Sequence, residues 1–480
     1  MEKKNVWETY SAEQLAELEQ LNAEYRDFLD NGKTERECVD TIVNTIEAAG
    51  YKELETVIKA GNTLKKGDKV YSVWMNKAVA MFQIGEKPMT EGMNILGAHI
   101  DSPRLDIKQN PLYEDGGFAY LDTHYYGGVK KYQWVTIPLA IHGVVVKKDG
   151  TTVEINIGEN EDDPVFFISD LLIHLSQEQL EKKAAKVIEG EALDIIVGNR
   201  PLVIDKTEDA DAQENKEEAE AKKAGKDAVK AGVLNILKEN YDIEEEDFIS
   251  AELEVVPAGK AREAGFDRSI ILAYGQDDRV CAFTSLKAML DTGVTERTMC
   301  CILVDKEEIG SVGATGMQSR FFENAVAEVM NLTGEYSELN MRRCLAHCCM
   351  LSSDVSSAFD PSFAGSFDKK NVAYLGGGMV FNKFTGARGK SGSNDANAEY
   401  LAHLRNIFAE KSIQFQTAEL GKVDLGGGGT IAYILALYGM NVIDSGVAVM
   451  NMHAPWEATS KADVYEAYRG YKAFVEGASL

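Results

Sequence analysis

The sequence predicts an α/β fold with a mixed, mainly parallel sheet sandwiched by helices, interrupted by an inserted β-rich domain. Towards both ends of the chain, apolar runs alternate with helical patterns, as in sheets that are covered on both faces. Between them lie many short strand signals and turn residues, typical of antiparallel structure. The predicted domains are a discontinuous α/β domain of residues 1–103 and 269–480 and an inserted domain of residues 104–268.

Two helices are predicted to open the α/β domain, each with a capping box. Ser11 with Gln14 begins the first, and Thr34 with Glu37 begins the second, because in this motif the side chains at both positions satisfy free backbone amides. Apolar and alternating runs then predict strands. These runs are residues 69–74, 78–84 and 94–98.

The inserted domain combines short strands with one charged segment. Strand signals lie at residues 135–137, 140–146 and 153–157. Residues 206–230 are rich in Ala, Glu, Lys and Asp and contain almost no large apolar side chains. Such a composition predicts a solvated helix or a mobile insertion.

The composition excludes several classes of protein. The 480 residues carry 77 Asp and Glu against 50 Lys and Arg, a formal net charge of -27, which disfavours nucleic acid and anionic membranes as partners. The start of the chain lacks the apolar run of a signal peptide, and no run is long enough to span a bilayer. The seven cysteines include adjacent pairs in apolar runs, typical of reduced core thiols. We therefore expect a cytoplasmic protein.

Residues that bind divalent metals follow five apolar, strand-like runs. In open α/β sheets ligand sites gather at the carboxyl ends of strands, so we expect these ends to meet in one pocket although they are far apart in the sequence. The residues are His99 after 94–98, Asp277 and Asp278 after 270–274, Glu307 and Glu308 after 300–304, Asp354 after 348–351, and His453 at the end of 447–452.

These residue types favour a metal-dependent hydrolase. Two imidazoles and several carboxylates without thiolate suit zinc, manganese or cobalt. Five ligands match two ions that share a bridging carboxylate and together activate a hydroxide as nucleophile. A free carboxylate then transfers the proton to a leaving amine, and both Glu307 and Glu308 are candidates for that role.

The neighbours of these residues leave local alternatives open. His99 and Asp101 lie on the same side of an extended segment, so Asp101 is predicted to orient the imidazole. However, Asp277-Asp278-Arg279 also suits a helix start with an internal salt bridge. Glu307 and Glu308 likewise suit the first turn of a helix, where its dipole favours acidic residues. The set of five, rather than any single residue, favours the metal site.

Six motifs together carry a resemblance to a known family. They are Gly32-Lys-Thr-Glu-Arg-Glu-Cys38, Gly97-Ala-His-Ile-Asp-Ser-Pro-Arg104, Asp277-Asp-Arg279, Asp305-Lys-Glu-Glu-Ile-Gly-Ser311, Ser352-Ser-Asp354 and Asn451-Met-His453. In their order and spread the chain resembles the M18 metallo-aminopeptidases, the family of aspartyl aminopeptidase and yeast vacuolar aminopeptidase I. The motifs extend over nearly the whole chain.

The resemblance implies a zinc-peptidase-like catalytic domain and a role for each motif residue. It implies two divalent ions per subunit, zinc first, with cobalt and manganese as alternatives. The implied roles are His99 and Glu308 on one ion, Asp354 and His453 on the other, Asp277 as the bridge, Glu307 as general base and acid, and Asp101 as the residue that orients His99.

The resemblance also implies an assembly and a substrate site. The inserted domain becomes a dimerisation domain, and dimers assemble into a homododecamer whose active sites face an internal chamber. His174 resembles a catalytic histidine that a neighbouring subunit contributes, and Lys383 resembles a substrate-binding lysine. Ser357 stands where aspartyl aminopeptidases have a histidine, so the preferred first residue of the peptide stays open.

The predicted function is therefore a metal-dependent aminopeptidase. It removes N-terminal residues from peptides through a hydroxide activated by two metals, with Glu307 as general base and acid. Two alternatives use the same fold. One is another metallohydrolase activity, such as a carboxypeptidase or deacylase, and the other is an assembly scaffold without catalysis.

Overall fold

The computed structural model describes residues 5–202 and 227–479, which form two compact units. One unit contains residues 1–102 and 260–480, and the other contains residues 103–259. From the sequence, the boundaries are predicted after residue 103 and before residue 269. The role of the inserted domain in dimerisation stays a prediction. Most of the predicted charged segment, residues 206–226, lies outside the described residues.

The elements are numbered along the chain. The strands are β1 (Lys52–Glu53), β2 (Lys69–Trp74), β3 (Ala78–Gln83), β4 (Asn94–His99), β5 (Arg104–Asp115), β6 (Phe118–Tyr126), β7 (Leu139–Val146), β8 (Thr152–Ile157), β9 (Ile195–Gly198), β10 (Ala251–Pro257), β11 (Arg262–Ala264), β12 (Ile270–Ala273), β13 (Met299–Val304), β14 (Cys349–Ser353), β15 (Ser356–Ser357), β16 (Met379–Asn382), β17 (Phe415–Thr417), β18 (Asn441–Gly446), β19 (Ala448–Met450) and β20 (Glu457–Ser460). The helices are α1 (Ala12–Asn31), α2 (Glu35–Ala48), α3 (Leu54–Lys59), α4 (Gln177–Leu180), α5 (Ala184–Val187), α6 (Ala228–Tyr241), α7 (Gln276–Leu290), α8 (Phe321–Leu332), α9 (Glu338–Ala346), α10 (Ala398–Glu410), α11 (Ala432–Ala436) and α12 (Lys461–Gly477).

A nine-stranded mixed sheet forms the centre of the first unit, in the order β1-β2-β3-β13-β4-β14-β18-β16-β17. Its middle strands β13, β4, β14 and β18 run parallel. Helices cover both faces, so neighbouring residues of one strand belong to different cores: Leu96 lies in the core that contains residues of α1, α2, α7 and α12, and Ile95 lies in the core that contains residues of α8 and α9. Burial on both faces explains why β13 is continuously apolar in the sequence. The predicted α/β fold is confirmed.

The capping boxes predicted for the first two helices are confirmed. Ser11 Oγ accepts a hydrogen bond from the Gln14 amide, and the Gln14 side chain accepts one from the Ser11 amide. Thr34 and Glu37 make the same reciprocal pair at the start of α2. Each box satisfies backbone amides that a helix start leaves free.

A smaller sheet of five strands, in the order β11-β12-β20-β19-β15, completes the first unit. Strand β20 leads directly into α12, and Lys461 at this junction is almost fully buried. Its Nζ atom lies 2.6 Å from a carboxylate oxygen of Glu19 and 2.6 Å from one of Glu263. A buried ammonium needs such partners, so Lys461 joins α1, β11 and α12 electrostatically.

The second unit is built on an antiparallel sheet of six strands, in the order β8-β7-β10-β5-β6-β9. Helix α6 packs on β5, β6 and β9. Strands β7 and β8 agree with the predicted runs 140–146 and 153–157, whereas the predicted strand at 135–137 is wrong. Thr136 there has a φ of 61°, a left-handed conformation that interrupts extended backbone.

The chemistry of the core agrees with the composition. All seven cysteines are buried and none of them forms a disulfide, as the sequence predicts for core thiols. Within residues 5–202 and 227–479, none of the helices combines the length and the apolar character needed to cross a bilayer.

Candidate metal centre

Three neighbouring strands of the main sheet carry one part of the candidate site. His99 is the last residue of β4, and Asp354 follows β14 on one side of it. Glu307 and Glu308 follow β13 on the other side, in a short 3-10 turn that ends at Ile309. Because these strands run parallel, their carboxyl ends lie at the same edge of the sheet.

The remaining two ligand candidates come from the smaller sheet rather than from the main one. Asp277 follows β12 at the start of α7, and His453 follows β19 in the turn before β20. In this sheet β20 lies between β12 and β19. The five strand ends therefore come from two sheets: Asp277 and His453 follow strands of the smaller sheet, and both lie close to the other three residues.

Asp277 lies at the middle of the cluster. Its Oδ1 atom is 3.3 Å from Nε2 of His99, and its Oδ2 atom is 3.3 Å from Nε2 of His453. Oε2 of Glu308 lies 3.4 Å from Nε2 of His453, and Oδ1 of Asp354 lies 3.9 Å from Nε2 of His99. The structure thus brings together all five side chains that the sequence predicts as ligands.

The geometry bears on the ligand pairing that the resemblance implies. Potential ligand atoms lie within 4.8 Å of one another in three groups: His99 with Asp277 and Asp354, Asp277 with Glu308 and His453, and His99 with Glu307 and Glu308. The two groups that contain Asp277 put Asp354 with His99 and Glu308 with His453. The reason is register: Ser352 of β14 pairs with Gly97 of β4, which brings Asp354 level with His99. The third group keeps Glu308 beside His99, as the resemblance implies, so the division of the ligands between two ions stays a prediction.

Burial and charge at the cluster fit a cationic ligand. Among the described residues, neither Nε2 of His99 nor Oε1 of Glu308 has a hydrogen-bond partner, although both atoms are buried. Burial raises the pKa of Glu308 well above its usual range, and the charge of Asp277 adds to this effect. Burial likewise raises the pKa of Asp354. Buried carboxylates at this density need compensating positive charge, and imidazole with carboxylate is a donor set typical of zinc.

Glu307 lies beside the candidate ligands and is suited to a different role, the transfer of a proton. Its Oε2 atom is 3.9 Å from Nε2 of His99. Burial raises the pKa of Glu307 to about 7, although the nearby charge of His99 lowers it. A carboxyl group with a pKa near neutrality is suited to accept and return a proton.

Asp101 connects His99 to the two glutamates. The ring Nδ1 of His99 lies 3.0 Å from the Asp101 carbonyl oxygen and 3.3 Å from its Oδ1 atom. The amides of Glu307 and Glu308 each donate a hydrogen bond of 3.2 Å to the Asp101 carboxylate. Asp101 therefore contacts the imidazole that it is predicted to orient, and its side chain also holds the turn that carries Glu307 and Glu308.

Glu457 is a neighbour of the site that sequence reasoning missed. Its carboxylate accepts hydrogen bonds from the Asp277 amide at 2.9 Å and from the His453 amide at 2.7 Å. No motif marks it, because a glutamate at the start of a short strand also suits a surface position. Its partners are also far away in the sequence or separated by a turn.

The arginine of the Asp-Asp-Arg motif has a structural role. Arg279 is buried and donates hydrogen bonds to the carbonyl oxygens of Ile100 and Lys33. Ser102 Oγ donates to the carbonyl oxygen of Asp277. A helix start with an internal salt bridge therefore does not account for all the contacts of this motif. The hydrogen bonds from Arg279 connect α7 to the segment after β4 and to the segment before α2.

The groups of potential ligand atoms do not include the two residues that are predicted for catalysis and substrate binding, His174 and Lys383. His174 is exposed in a 3-10 turn, Ile173–Leu175, of the inserted unit. Lys383 directly follows β16, and its Nζ atom lies 2.6 Å from Oδ1 of Asp395. Lys390 shares the same carboxylate at 2.9 Å. The roles of His174 and Lys383 stay predictions.

Comparisons with known proteins agree over the whole length of the chain. The family model for Aminopeptidase I zinc metalloprotease (M18) matches residues 28–475. A probable M18 family aminopeptidase 1 of Clostridium acetobutylicum is 59% identical over 474 residues, 99% of this chain and 98% of that protein.

Solved structures show the same likeness. The crystal structure of the M18 aminopeptidase from Thermotoga maritima covers 100% of both chains at 44% identity with a TM-score of 0.90. Aminopeptidase I from C. acetobutylicum covers 99% of both chains at 56% identity with a TM-score of 0.88. These matches favour aminopeptidase activity over the carboxypeptidase, deacylase and scaffold alternatives. The chain therefore belongs to the M18 family of zinc metalloproteases and is a metallo-aminopeptidase.

Proposed function

We propose that the chain removes N-terminal residues from peptides with two divalent ions per subunit, zinc being the native metal and cobalt and manganese the alternatives. The observation that carries this proposal is the position of Asp277, whose two oxygens each lie 3.3 Å from a different imidazole. A carboxylate between two imidazoles suits a bridge between two ions. His99 and Asp354 would hold one ion, and Glu308 and His453 the other.

The residues around the ions carry the proton transfers. When bound, the ions supply Lewis-acid polarisation of the scissile carbonyl and lower the pKa of water at the site. Glu307 accepts a proton from the water that attacks the carbonyl carbon. As the C–N bond breaks, Glu307 returns the proton to the leaving amine. Asp101 supports the arrangement because its carbonyl oxygen, 3.0 Å from Nδ1 of His99, leaves Nε2 free for an ion.

The variant Glu307→Gln tests this division of labour. We expect turnover to fall by about 10²–10⁴-fold, the usual contribution of a general base, while zinc content stays normal. The matched control is Glu308→Gln, the same change one residue further on, which should lower zinc content as well. Normal turnover by Glu307→Gln would refute its role as base. A zinc titration of the wild type that saturates at one ion per subunit would refute the two-ion site.

Self-association through the inserted unit is part of the same proposal. The segment around His174 exposes consecutive apolar side chains, with Ile173 68% and Leu175 67% accessible, and patches of this kind often mark interfaces. A distant structure, mApe1 of S. cerevisiae, is a dodecamer with 19% identity and a TM-score of 0.73, a likeness of fold alone. We propose a dimer-based homododecamer in which this segment is buried and His174 reaches the partner subunit's site.

Charge placed in the exposed segment tests the assembly. Ile173→Asp should lower the molar mass in sedimentation and lower turnover together. Leu437→Asp is the matched control, because Leu437 is 81% accessible but lies outside the inserted unit. His174→Ala should lower turnover without changing the mass. An unchanged mass for Ile173→Asp would contradict an interface at this segment.

Substrate contact and cellular location complete the proposal. For Lys383 to bind a peptide, its ammonium must share or leave its contact with Asp395, so Lys383→Met should raise KM at unchanged zinc content. An unchanged KM would refute that contact. A cytoplasmic location is supported by the seven buried cysteines, none of which forms a disulfide, because reduced thiols are typical of that compartment. Cell fractionation tests it, and recovery outside the cytoplasm would refute it.

A further inference from the structure

Glu457 holds the two backbone segments that carry Asp277 and His453. Its side chain is almost completely buried, with the residue 1% accessible. Oε2 accepts a hydrogen bond of 2.9 Å from the Asp277 amide, and Oε1 accepts one of 2.7 Å from the His453 amide. Its own carbonyl oxygen accepts a hydrogen bond of 2.6 Å from Nε2 of Gln276. Both oxygens of one carboxylate are therefore used on two different segments.

The His453 segment depends on this contact more than a regular strand would. His453 has a φ of 65° and Asn451 a φ of 59°, and left-handed backbone is unfavourable for residues other than glycine. The turn is short, and β20 begins at Glu457 itself. The bond from the His453 amide to Glu457 closes the turn and stabilises this backbone.

We propose that Glu457 is a positioning residue that sets the separation of Asp277 and His453 and thereby the affinity of the site for zinc. The inference rests on the proposed function, because it takes both residues as zinc ligands. It concerns the backbone behind the ligands: Glu457 acts by fixing where the two ligand side chains begin. Residues that orient ligands in this way typically change metal affinity by about 10–100-fold when they are replaced.

The variant Glu457→Gln keeps the size of the side chain and changes mainly its number of hydrogen-bond acceptors. The amide of glutamine keeps one acceptor oxygen and turns an NH₂ group towards the second backbone amide, which leaves two donors facing each other. Hydrogen bonds to a charged acceptor are also stronger than those to a neutral one. One ligand segment should therefore be released while the fold stays intact.

Asp463 offers a matched control. It is fully buried, and its two oxygens accept hydrogen bonds of 2.8 Å each from the amides of Gly376 and Gly378. Asp463→Asn thus removes the same kind of contact, a buried carboxylate across two amides, in a segment that carries none of the proposed ligands. It reports what the loss of such a contact does to stability alone.

The experiment is a titration of the metal-free, full-length protein with zinc against a competing chelator. We expect Glu457→Gln to weaken zinc binding by about 10–100-fold and to change the visible absorption of the cobalt-loaded protein, with Asp463→Asn near wild type in both. Glu308→Gln is titrated in parallel as a ligand variant. If Glu457→Gln does not fold, Glu457→Asp replaces it, because the shorter carboxylate keeps its charge but cannot reach both amides.

Each result separates the inference from the function on which it rests. Wild-type affinity and spectrum in the Glu457 variant, with weak binding by Glu308→Gln, would overturn the inference and leave the function intact. Wild-type affinity in both would overturn the proposed ligand set. Equal weakening by Glu457→Gln and Asp463→Asn would show a general effect of stability, and the inference would also fail.

Discussion

Replacing Asp101 by asparagine should slow the enzyme without removing a metal ligand. Asp101 accepts hydrogen bonds of 3.2 Å from the amides of Glu307 and Glu308, one on each carboxylate oxygen, and its Oδ1 atom lies 3.3 Å from Nδ1 of His99. In Asp101→Asn the new NH₂ group must face one of these donors. The turn that carries Glu307 and Glu308 is therefore expected to shift.

The size of the effect follows from the contacts that are lost. One hydrogen bond to a charged acceptor contributes about 1.5–3 kcal/mol, and each 1.4 kcal/mol corresponds to about a tenfold change. We expect kcat/KM to fall by about 10–100-fold at saturating zinc, mostly in kcat, because Glu307 is displaced from the position that its amide contact with Asp101 defines.

The assay is steady-state hydrolysis of an aminoacyl fluorogenic substrate, with zinc content measured on the same samples. Asp463→Asn is the matched control, since it makes the same substitution across two amides, and its kcat/KM should stay within about threefold of wild type. A fall of less than about threefold in Asp101→Asn would refute the reasoning. A fall explained entirely by lost zinc would refute the assignment of the effect to Glu307.

Three further predictions concern stability and metal binding. Lys461→Met should lower the free energy of unfolding in urea by about 3 kcal/mol, because carboxylates lose a buried cation. Contact with Lys461 lowers the pKa of Glu263. This stabilisation is therefore present above about pH 4.3 and is lost as pH falls through the lowered pKa. In the variant, this part of the fall in the free energy of unfolding at acidic pH should be absent. Gly446→Ala would place Cβ 2.0 Å from the Asp354 carbonyl oxygen and should weaken zinc binding by about tenfold, unlike Gly293→Ala, where nothing lies within 4 Å. Chelation should abolish turnover. It should also lower the free energy of unfolding by about 4 kcal/mol relative to the protein with zinc at about 1,000 times its Kd, and calorimetry should show that this stability returns when zinc is restored.

Local patterns predict the parts of the fold whose causes are local. The capping boxes at Ser11 and Thr34 form as expected because both partners of each box lie within one helical turn. Strand β13 and the centre of β4 are recognisable because both faces of the sheet are covered, which favours apolar side chains. By contrast, the apolar run at 135–137 forms no strand, since the left-handed Thr136 depends on contacts that a short run does not reveal.

The identities of the candidate ligands are local, whereas their arrangement depends on strand pairing. Side chains that follow apolar runs mark His99, Asp277, Glu308, Asp354 and His453 in the sequence. No such pattern shows that β12 and β19 belong to a second sheet. Glu457 was missed for the same reason, because the Asp277 amide meets it only once β20 has paired with β12.

Register determines which ligands face the same imidazole. Ser352 pairs with Gly97 and Leu351 pairs with Leu96, so that Asp354 continues level with His99. A shift of β14 by one residue would turn its side chains to the opposite face of the sheet and remove Asp354 from His99. Every residue of the candidate site would remain in the chain, yet the group of His99, Asp277 and Asp354 would be lost. Sequence motifs can therefore nominate the candidate ligands of such a site, whereas hydrogen bonds between distant strands determine which of them lie beside the same imidazole.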